Sequence, residues 1–279
     1  MIHIESKESL KTVRSNLRGS IGFVPTMGAL HDGHLSLIQT SLSMCDTTWV
    51  SIFVNPAQFS PNEDFNSYPR HIDQDLELCK AAGVDAVFCP TEGDIYPNGD
   101  TTPRYTPPTW ISQSLCGKTR PHFFNGVCNV VERLFSLVHP THAFFGNKDL
   151  QQRVIIEQMV ASLNLEIDIV GCPIIRDKEG LALSSRNLYL DDVGLKKAGY
   201  ISKALNDAAI HVKQQGWSTH QVRQFLAAAL EGRGLKGDYV EVFRPHTGEV
   251  VIGDIAPGDH CCVAFICDGV RLIDNISLT

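Results

Sequence analysis

The sequence predicts an α/β protein: a Rossmann-like, doubly wound parallel sheet followed by a smaller C-terminal α+β domain. Short apolar, β-branched or aromatic runs at 21–24, 49–54, 86–89, 143–145 and 167–170 alternate with segments of helical period. That alternation is the signature of parallel strands joined by crossover helices. Near residue 177 the texture changes, because two helical segments are then followed by four consecutive strand-like runs. Helices followed by hairpin-linked strands describe a separate α+β unit. The expected domains are therefore 1–176, a Rossmann-like ligand-binding domain, and 177–279, a lid.

After the first strand, Leu35, Ile38, Leu42 and Cys45 recur at helical spacing and lay one apolar stripe against the sheet. The segments 73–82, 127–138 and 149–163 behave in the same way. Between Thr91 and Pro108, Gly, Pro, Thr and Asp accumulate, which predicts an irregular excursion rather than a domain linker. In the second domain Ile201, Leu205, Ala208 and Val212 share a helix face, and the next helix runs from Val222 to Leu230 before the stop signals Gly232 and Gly234. Strands are expected at 239–243, 250–252, 261–266 and 270–276, with turns at His246-Thr247-Gly248 and Cys267-Asp268-Gly269.

The chain has 279 residues, 43% hydrophobic and 20% charged, ordinary for a folded globular protein. Its net charge of -7 argues against a general nucleic-acid or anionic-membrane binder, so anionic ligands need local basic clusters. Nine cysteines are scattered with no C-x-x-C pair, as expected of reduced, buried thiols in a cytoplasmic protein. The first residues lack a basic flank and apolar core, and no window reaches 18 apolar residues, so neither export nor a membrane span is expected.

The residues Pro25-Thr26-Met27-Gly28-Ala29-Leu30-His31-Asp32-Gly33-His34 join the first strand to the first crossover helix. In an open α/β sheet, ligands collect at the carboxyl ends of strands, where helix N-termini favour phosphate. Gly28 and Gly33 suit positions where the backbone turns tightly or approaches a ligand. His31 and His34, three apart, project from one helix face and can touch one phosphate, since imidazole donates a hydrogen bond whether neutral or charged. The alternatives are ordinary cap or surface residues, or a zinc pair, for which no third ligand stands at a recognisable spacing.

Three further segments carry candidate chemistry. Gly146-Asn147-Lys148-Asp149 is a second strand-to-helix junction, where Lys148 offers a mobile charge to phosphate and Asp149 a helix cap or a ribose ligand, with Gln152 on the next turn. Leu183-Ser184-Ser185-Arg186-Asn187 places two hydroxyls and a guanidinium on a polar loop able to close over a polyphosphate. Asn55-Pro56-Ala57-Gln58-Phe59 offers an amide beside an aromatic wall, suited to a small polar substrate. Each has a plain reading as a turn, a cap or a solvent-facing residue. Asp73 and Asp75 open a helix where the dipole favours carboxylates, and Asp75 is also the candidate metal ligand.

Taken together, the His31-Asp32-Gly33-His34 motif, the Gly146 to Asp149 turn and the Ser184 to Arg186 loop resemble the signature set of the HxGH nucleotidyltransferases. More closely, the chain resembles the pantothenate synthetase family. The blocks Pro25 to His34, Phe53-Val54-Asn55-Pro56 with Gln58-Phe59, Tyr68-Pro69-Arg70, Gly83-Val84-Asp85, Arg120-Pro121, Gln151-Gln152, Leu183 to Asn187 and Leu272-Ile273-Asp274-Asn275 match it in order along nearly the whole chain.

The resemblance implies a ligase that joins pantoate to β-alanine with ATP through a pantoyl adenylate, with magnesium on the phosphates and a homodimeric assembly. It also implies that Met27, Gly28, Ala29, Leu30, His31, Asp32, Gly33, His34, Gly146, Asn147, Lys148, Asp149, Ile175, Leu183, Ser184, Ser185 and Arg186 serve ATP. Gln58 and Gln152 would serve pantoate, Gln58 also β-alanine, and His34 would be the proton donor. Two departures stand out: the family usually has Glu where this chain has Asn147, and Gly-His-Phe-Arg-Gly where it has His122-Phe123-Phe124-Asn125-Gly126. A different HxGH transferase with a phosphorylated acceptor would need a second basic cluster, whereas Gln58 and Gln152 are neutral. A nucleotide-binding protein without catalysis is the non-enzymatic rival.

Overall fold

Six parallel strands build the first sheet: β1 (Ile2–Ile4), β2 (Ile21–Thr26), β3 (Thr47–Ile52), β4 (Ala86–Phe88), β5 (His142–Gly146) and β6 (Asp168–Cys172), in the order β1-β4-β3-β2-β5-β6. They are seen in a computed structural model that describes residues 1–61 and 63–279. From β2 the chain steps outward through β3 to β4, then returns to the other side of β2 for β5 and β6. The strand order thus reverses between β2 and β5, and the carboxyl ends of these two strands form the topological switch point of a doubly wound sheet.

The predicted strands are all present. β1 adds to them: three residues with Ile2 exposed give too short an apolar run to register as a strand. The helices Asp32–Met44, Ile72–Ala82, Phe123–Val138 and Leu150–Ser162 connect the strands. The stripe Leu35, Ile38, Leu42 and Cys45 does face the sheet, packing with Leu37 against Val24, Val50, Val87 and Phe144. The 91–108 excursion carries a short helix at Glu92–Ile95 and buries Ile95 and Tyr96.

The second sheet is antiparallel: β7 (Lys236–Arg244), β8 (Glu249–Val251), β9 (His260–Cys267) and β10 (Val270–Ser277), ordered β10-β9-β7-β8. The helices Tyr200–Gln215 and Thr219–Glu231 pack on it through Ile201, Leu205, Ala208, Val212, Val222, Leu226 and Leu230. Between β9 and β10, Asp268 (φ 49°) and Gly269 (φ 85°) are both left-handed. Such a pair defines the type I′ hairpin turn that Asp-Gly favours.

Grouped by contacts, the chain falls into two units, each drawn from more than one stretch of sequence, whereas the sequence leads to a single boundary at 176/177. One unit comprises 1–108, 120–147 and 155–173; the other comprises 109–119, 148–154 and 174–279. Within the second unit Cys116 Sγ lies 3.3 Å from the Tyr239 hydroxyl, and Asn275 Nδ2 donates to the Lys148 carbonyl at 3.1 Å. Apolar periodicity reports that a helix has a buried face, and says nothing about which sheet receives it. All nine cysteines are unpaired, and burial pushes Cys79, Cys89 and Cys128 up to about 12. Among the described residues, no helix is long and apolar enough to cross a membrane.

Candidate active site

The turn that leaves β2 is built by side chains beneath it. Thr26 Oγ1 donates to the Ser51 carbonyl at 2.7 Å and accepts the Gly28 N–H at 3.2 Å. Gly28 (φ 84°) and Ala29 (φ 50°) are then left-handed in succession. A Cβ at Gly28 would stand 3.0 Å from Asp75 Oδ2 and 3.1 Å from Ile52 Cγ2, so both conformation and space call for glycine. Ala29 carries a strain of about 1–2 kcal/mol in this region. Asp75 holds it there: its Oδ2 accepts the Ala29 N–H at 2.9 Å and its Oδ1 the Leu30 N–H at 2.7 Å.

Asp75, the candidate metal ligand, serves this turn. The side chain is buried and both oxygens are engaged by backbone of the turn. Burial pushes its carboxyl above the usual range, against the pull of the two N–H groups and His71. Among the described residues, no group of three or more His, Cys, Asp or Glu side chains is arranged to hold a metal ion.

The Asp32–Met44 helix begins with two histidines acting as a capping box. His31 Nδ1 accepts the Gly33 N–H at 3.1 Å, and His34 Nδ1 accepts the His31 N–H at 3.3 Å. Gly33 therefore sits in the first helical turn, and its N–H is part of the cap. The rings lie 4.1 Å apart between centroids, tilted by 40°. A nitrogen that accepts a backbone N–H carries no proton, so the capping role takes the Nδ1 atom of each ring. The two rings thus stand together at the helix start, in the field of the dipole's positive end.

Gln58 is fixed from the other side of β2, at the end of β3. Asn55 caps the Pro56–Gln58 turn through the Ala57 N–H at 3.2 Å, and is itself held by the Tyr96 hydroxyl at 2.8 Å. The Asn55 amide donates to Gln58 Oε1 at 3.2 Å, and Gln58 Nε2 points to Met27 Sδ at 2.9 Å. Gly126 allows the Phe123–Val138 helix to lie on this turn, where a Cβ would be 2.3 Å from the Ala57 carbonyl oxygen. At the second family departure, the Phe123 ring lies 3.7 Å from Arg120 Cζ, and Arg120 pairs with Glu63 through two donors. The first unit therefore gathers Met27 to His34 and Gln58, and holds Gly146 and Asn147 at the carboxyl end of β5.

Lys148, Asp149, Gln152, Ile175 and Leu183 to Arg186 belong to the second unit. Ile175 and Leu183 are partners across a short hairpin, the Leu183 N–H donating to the Ile175 carbonyl at 2.9 Å. Gly180 (φ 90°) turns this hairpin, and Asp177 Oδ1 accepts the Glu179 and Leu181 N–H groups, both at 2.9 Å. Ser184 Oγ caps the Ser185–Tyr189 turn through the Arg186 N–H at 3.3 Å. Ser185 is buried and Arg186 half-buried. Sequence reasoning assigned no role to three residues that fix this unit's segments. Gln151 accepts the Cys116 N–H at 3.1 Å and donates to the Ile111 and Ser114 carbonyls. Asp274 pairs with Arg176, and Asn275 holds Lys148. Their partners are 35 to 127 positions away in the chain, beyond any local spacing rule.

The family model for pantoate-beta-alanine ligase matches residues 3–277. The chain belongs to that family. It is 43% identical over 277 residues to the pantothenate synthetase of Acetivibrio thermocellus, covering 98% of each chain. The crystal structure of pantothenate synthetase from Thermus thermophilus superposes with a TM-score of 0.93 at 38% identity, covering 100% of this chain and 99% of that one. A pantoate-beta-alanine ligase from Francisella tularensis, solved with beta-gamma ATP and beta-alanine, gives a TM-score of 0.85 at 34% identity over 100% and 98% of the two chains. The protein is accordingly an enzyme of the pantoate-beta-alanine ligase family, with the fold of its solved members.

Proposed function

We propose that this ligase condenses pantoate with β-alanine at the expense of ATP, through a pantoyl adenylate, releasing pyrophosphate and then AMP. The observation that supports it most directly is the histidine capping box at the switch point, which brings the His31 and His34 rings together at the start of the helix that follows β2. The Francisella relative holds beta-gamma ATP and beta-alanine, which correspond to two of the three substrates.

Pantoate's carboxylate is already ionised at neutral pH, its pKa lying near ~4, so attack on the α-phosphorus needs no general base. The step requires alignment and a place for the negative charge that builds on the phosphate oxygens. In this reading His31, His34, Lys148, Ser184, Ser185 and Arg186 supply that stabilisation, His34 as the hydrogen-bond donor to the leaving oxygen. Met27 to Leu30, Asp32, Gly33, Gly146, Asn147, Asp149, Ile175 and Leu183 line the nucleotide. Gln58 and Gln152, neutral amides, hold pantoate, and Gln58 then serves β-alanine. Magnesium enters on the phosphates of ATP, as part of the substrate.

In the second step the β-alanine ammonium loses a proton and its amine attacks the acyl carbon, expelling AMP. Exclusion of water preserves the adenylate, a task assigned here to the Ser184 to Arg186 loop. A cytoplasmic homodimer completes the reading. The test is pantoate-dependent exchange of labelled pyrophosphate into ATP with no β-alanine present. Exchange is expected with pantoate; exchange driven only by another acid would change the substrate, and none with any acid would leave a nucleotide-binding protein.

A further inference from the structure

Asp274 and Asn275 are consecutive on β10, and both are buried. Burying an amide and a carboxylate is costly unless each finds partners, and a strand that needed only to pack would carry apolar residues there, as at Val270 and Leu272. The partners lie on segments that the proposed function uses. Asn275 Nδ2 donates to the Lys148 carbonyl at 3.1 Å. Its Oδ1 is 3.2 Å from Nδ1 of His260 on β9. Burial lowers the His260 pKa, so the ring is neutral near pH 7, and facing an oxygen its Nδ1 carries the proton. His260 thereby sets which end of the Asn275 amide meets Lys148.

Asp274 accepts two hydrogen bonds from Arg176, at 2.5 and 2.9 Å, and Arg176 also donates to the Gly180 carbonyl at 3.1 Å. That pair braces the hairpin of Ile175 and Leu183, from which Ser184 to Arg186 continue. The charge of Lys148 is felt at Asp274 as well. The β10–β9 ladder is paired through the backbone along its whole length, from Val270 to Ser277.

We propose that Asn275 is a positioning residue for Lys148, fixing the backbone from which the ammonium reaches the nucleotide, and that Asp274 does the same through Arg176 for the Ser184 to Arg186 loop. This inference rests on the nucleotide role proposed for Lys148. A double-mutant cycle in the pantoate-dependent pyrophosphate exchange assay tests it, with Lys148→Ala, Asn275→Ala and the double variant. Lys148→Ala should lower the exchange rate on the order of 100-fold or more. Asn275→Ala should lower kcat about 10-fold through misplacement, leaving the KM for ATP within about 3-fold. The double variant should be no slower than Lys148→Ala, because Asn275 acts only through the lysine.

Losses that multiply would overturn the proposal, since Asn275 would then act elsewhere, and so would an unchanged rate for Asn275→Ala. An unchanged rate for Lys148→Ala would overturn the nucleotide role of the lysine together with the inference. Melting curves accompany each variant. Should Asn275→Ala fold poorly, Asn275→Ser, which keeps a hydroxyl on a shorter arm, carries the cycle with the same expectations.

Discussion

His34 performs two tasks that substitution can separate. Its Nδ1 closes the capping box of the Asp32–Met44 helix, and its Nε2–H is the proposed donor to phosphate. Glutamine is a usual partner at this position of a capping box, so His34→Gln should keep the helix start within about 0.5 kcal/mol while removing the imidazole. Turnover should fall on the order of 100-fold with little change in Tm. His34→Ala removes the cap as well and should lose an additional ~0.5–2 kcal/mol of stability. Steady-state kinetics and thermal melts on both variants decide the matter; normal turnover in His34→Gln would leave the histidine a cap and nothing more. The histidine pair was legible because three-residue spacing puts two rings on one helix face. Its capping role was not, because cap rules name Ser, Thr, Asp and Asn. Nor was the anchoring role of Asp75 legible, since a carboxylate in a first helical turn looks the same in sequence whether it faces solvent, a metal or the N–H groups of another loop.

Elements were legible where local chemistry alone decides them. The Asp268-Gly269 turn, the glycine stops after Leu230 and the five alternating apolar runs follow from conformational preference and periodicity. What tethers the elements came from charges distant in the chain. Arg244 at the end of β7 donates from Nε and Nη2 to both oxygens of Asp259, just before β9, at 2.8 Å each. Asp259 is fully buried and also accepts the Ala256 N–H at 2.8 Å. Burial pushes its carboxyl up, but the Arg244 hydrogen bonds, the Ala256 N–H and the nearby positive charges outweigh this and hold it below the usual range. A carboxyl whose pKa is lower folded than unfolded contributes stability above the unfolded value, near ~3.9, and loses it as pH falls through the folded value. Asp259→Asn should therefore be less stable than the parent by about 1.5–3 kcal/mol at pH 7. The gap should close progressively below pH ~4. Denaturant unfolding of both proteins across that range is the measurement, and a gap independent of pH would assign the loss to packing instead of charge.

At the scale of the whole molecule the parallel, doubly wound sheet follows from the βα alternation, since right-handed crossovers leave few ways to arrange it. The discontinuity of the second unit does not. That unit includes two segments, 109–119 and 148–154, that lie earlier in the chain than its main stretch 174–279. Ile111 is fully buried, and with Trp110 it lies over Gly248, where a Cβ would be 2.6 Å from Ile111 Cδ1 and 2.7 Å from Trp110 Cζ3. Arg271 bonds Asp238 at 2.7 and 2.9 Å and lies 3.7 Å from Cys116 Sγ, while Thr119 reaches the same Asp238. A fragment spanning 177–279, the domain that composition and periodicity delimit, would lack these residues, and Asn275 and Tyr239 would lose the Lys148 and Cys116 partners. Its apolar groups would be exposed to water at roughly 25 cal/mol for each Å² no longer covered, against a domain stability of only about 5–15 kcal/mol. The fragment should therefore bind a hydrophobic dye and melt over a broad range, while the full chain melts cooperatively. A sharp, dye-free transition in the fragment would mean that the two excursions are accessories to a domain that β7 to β10 and their helices can build unaided.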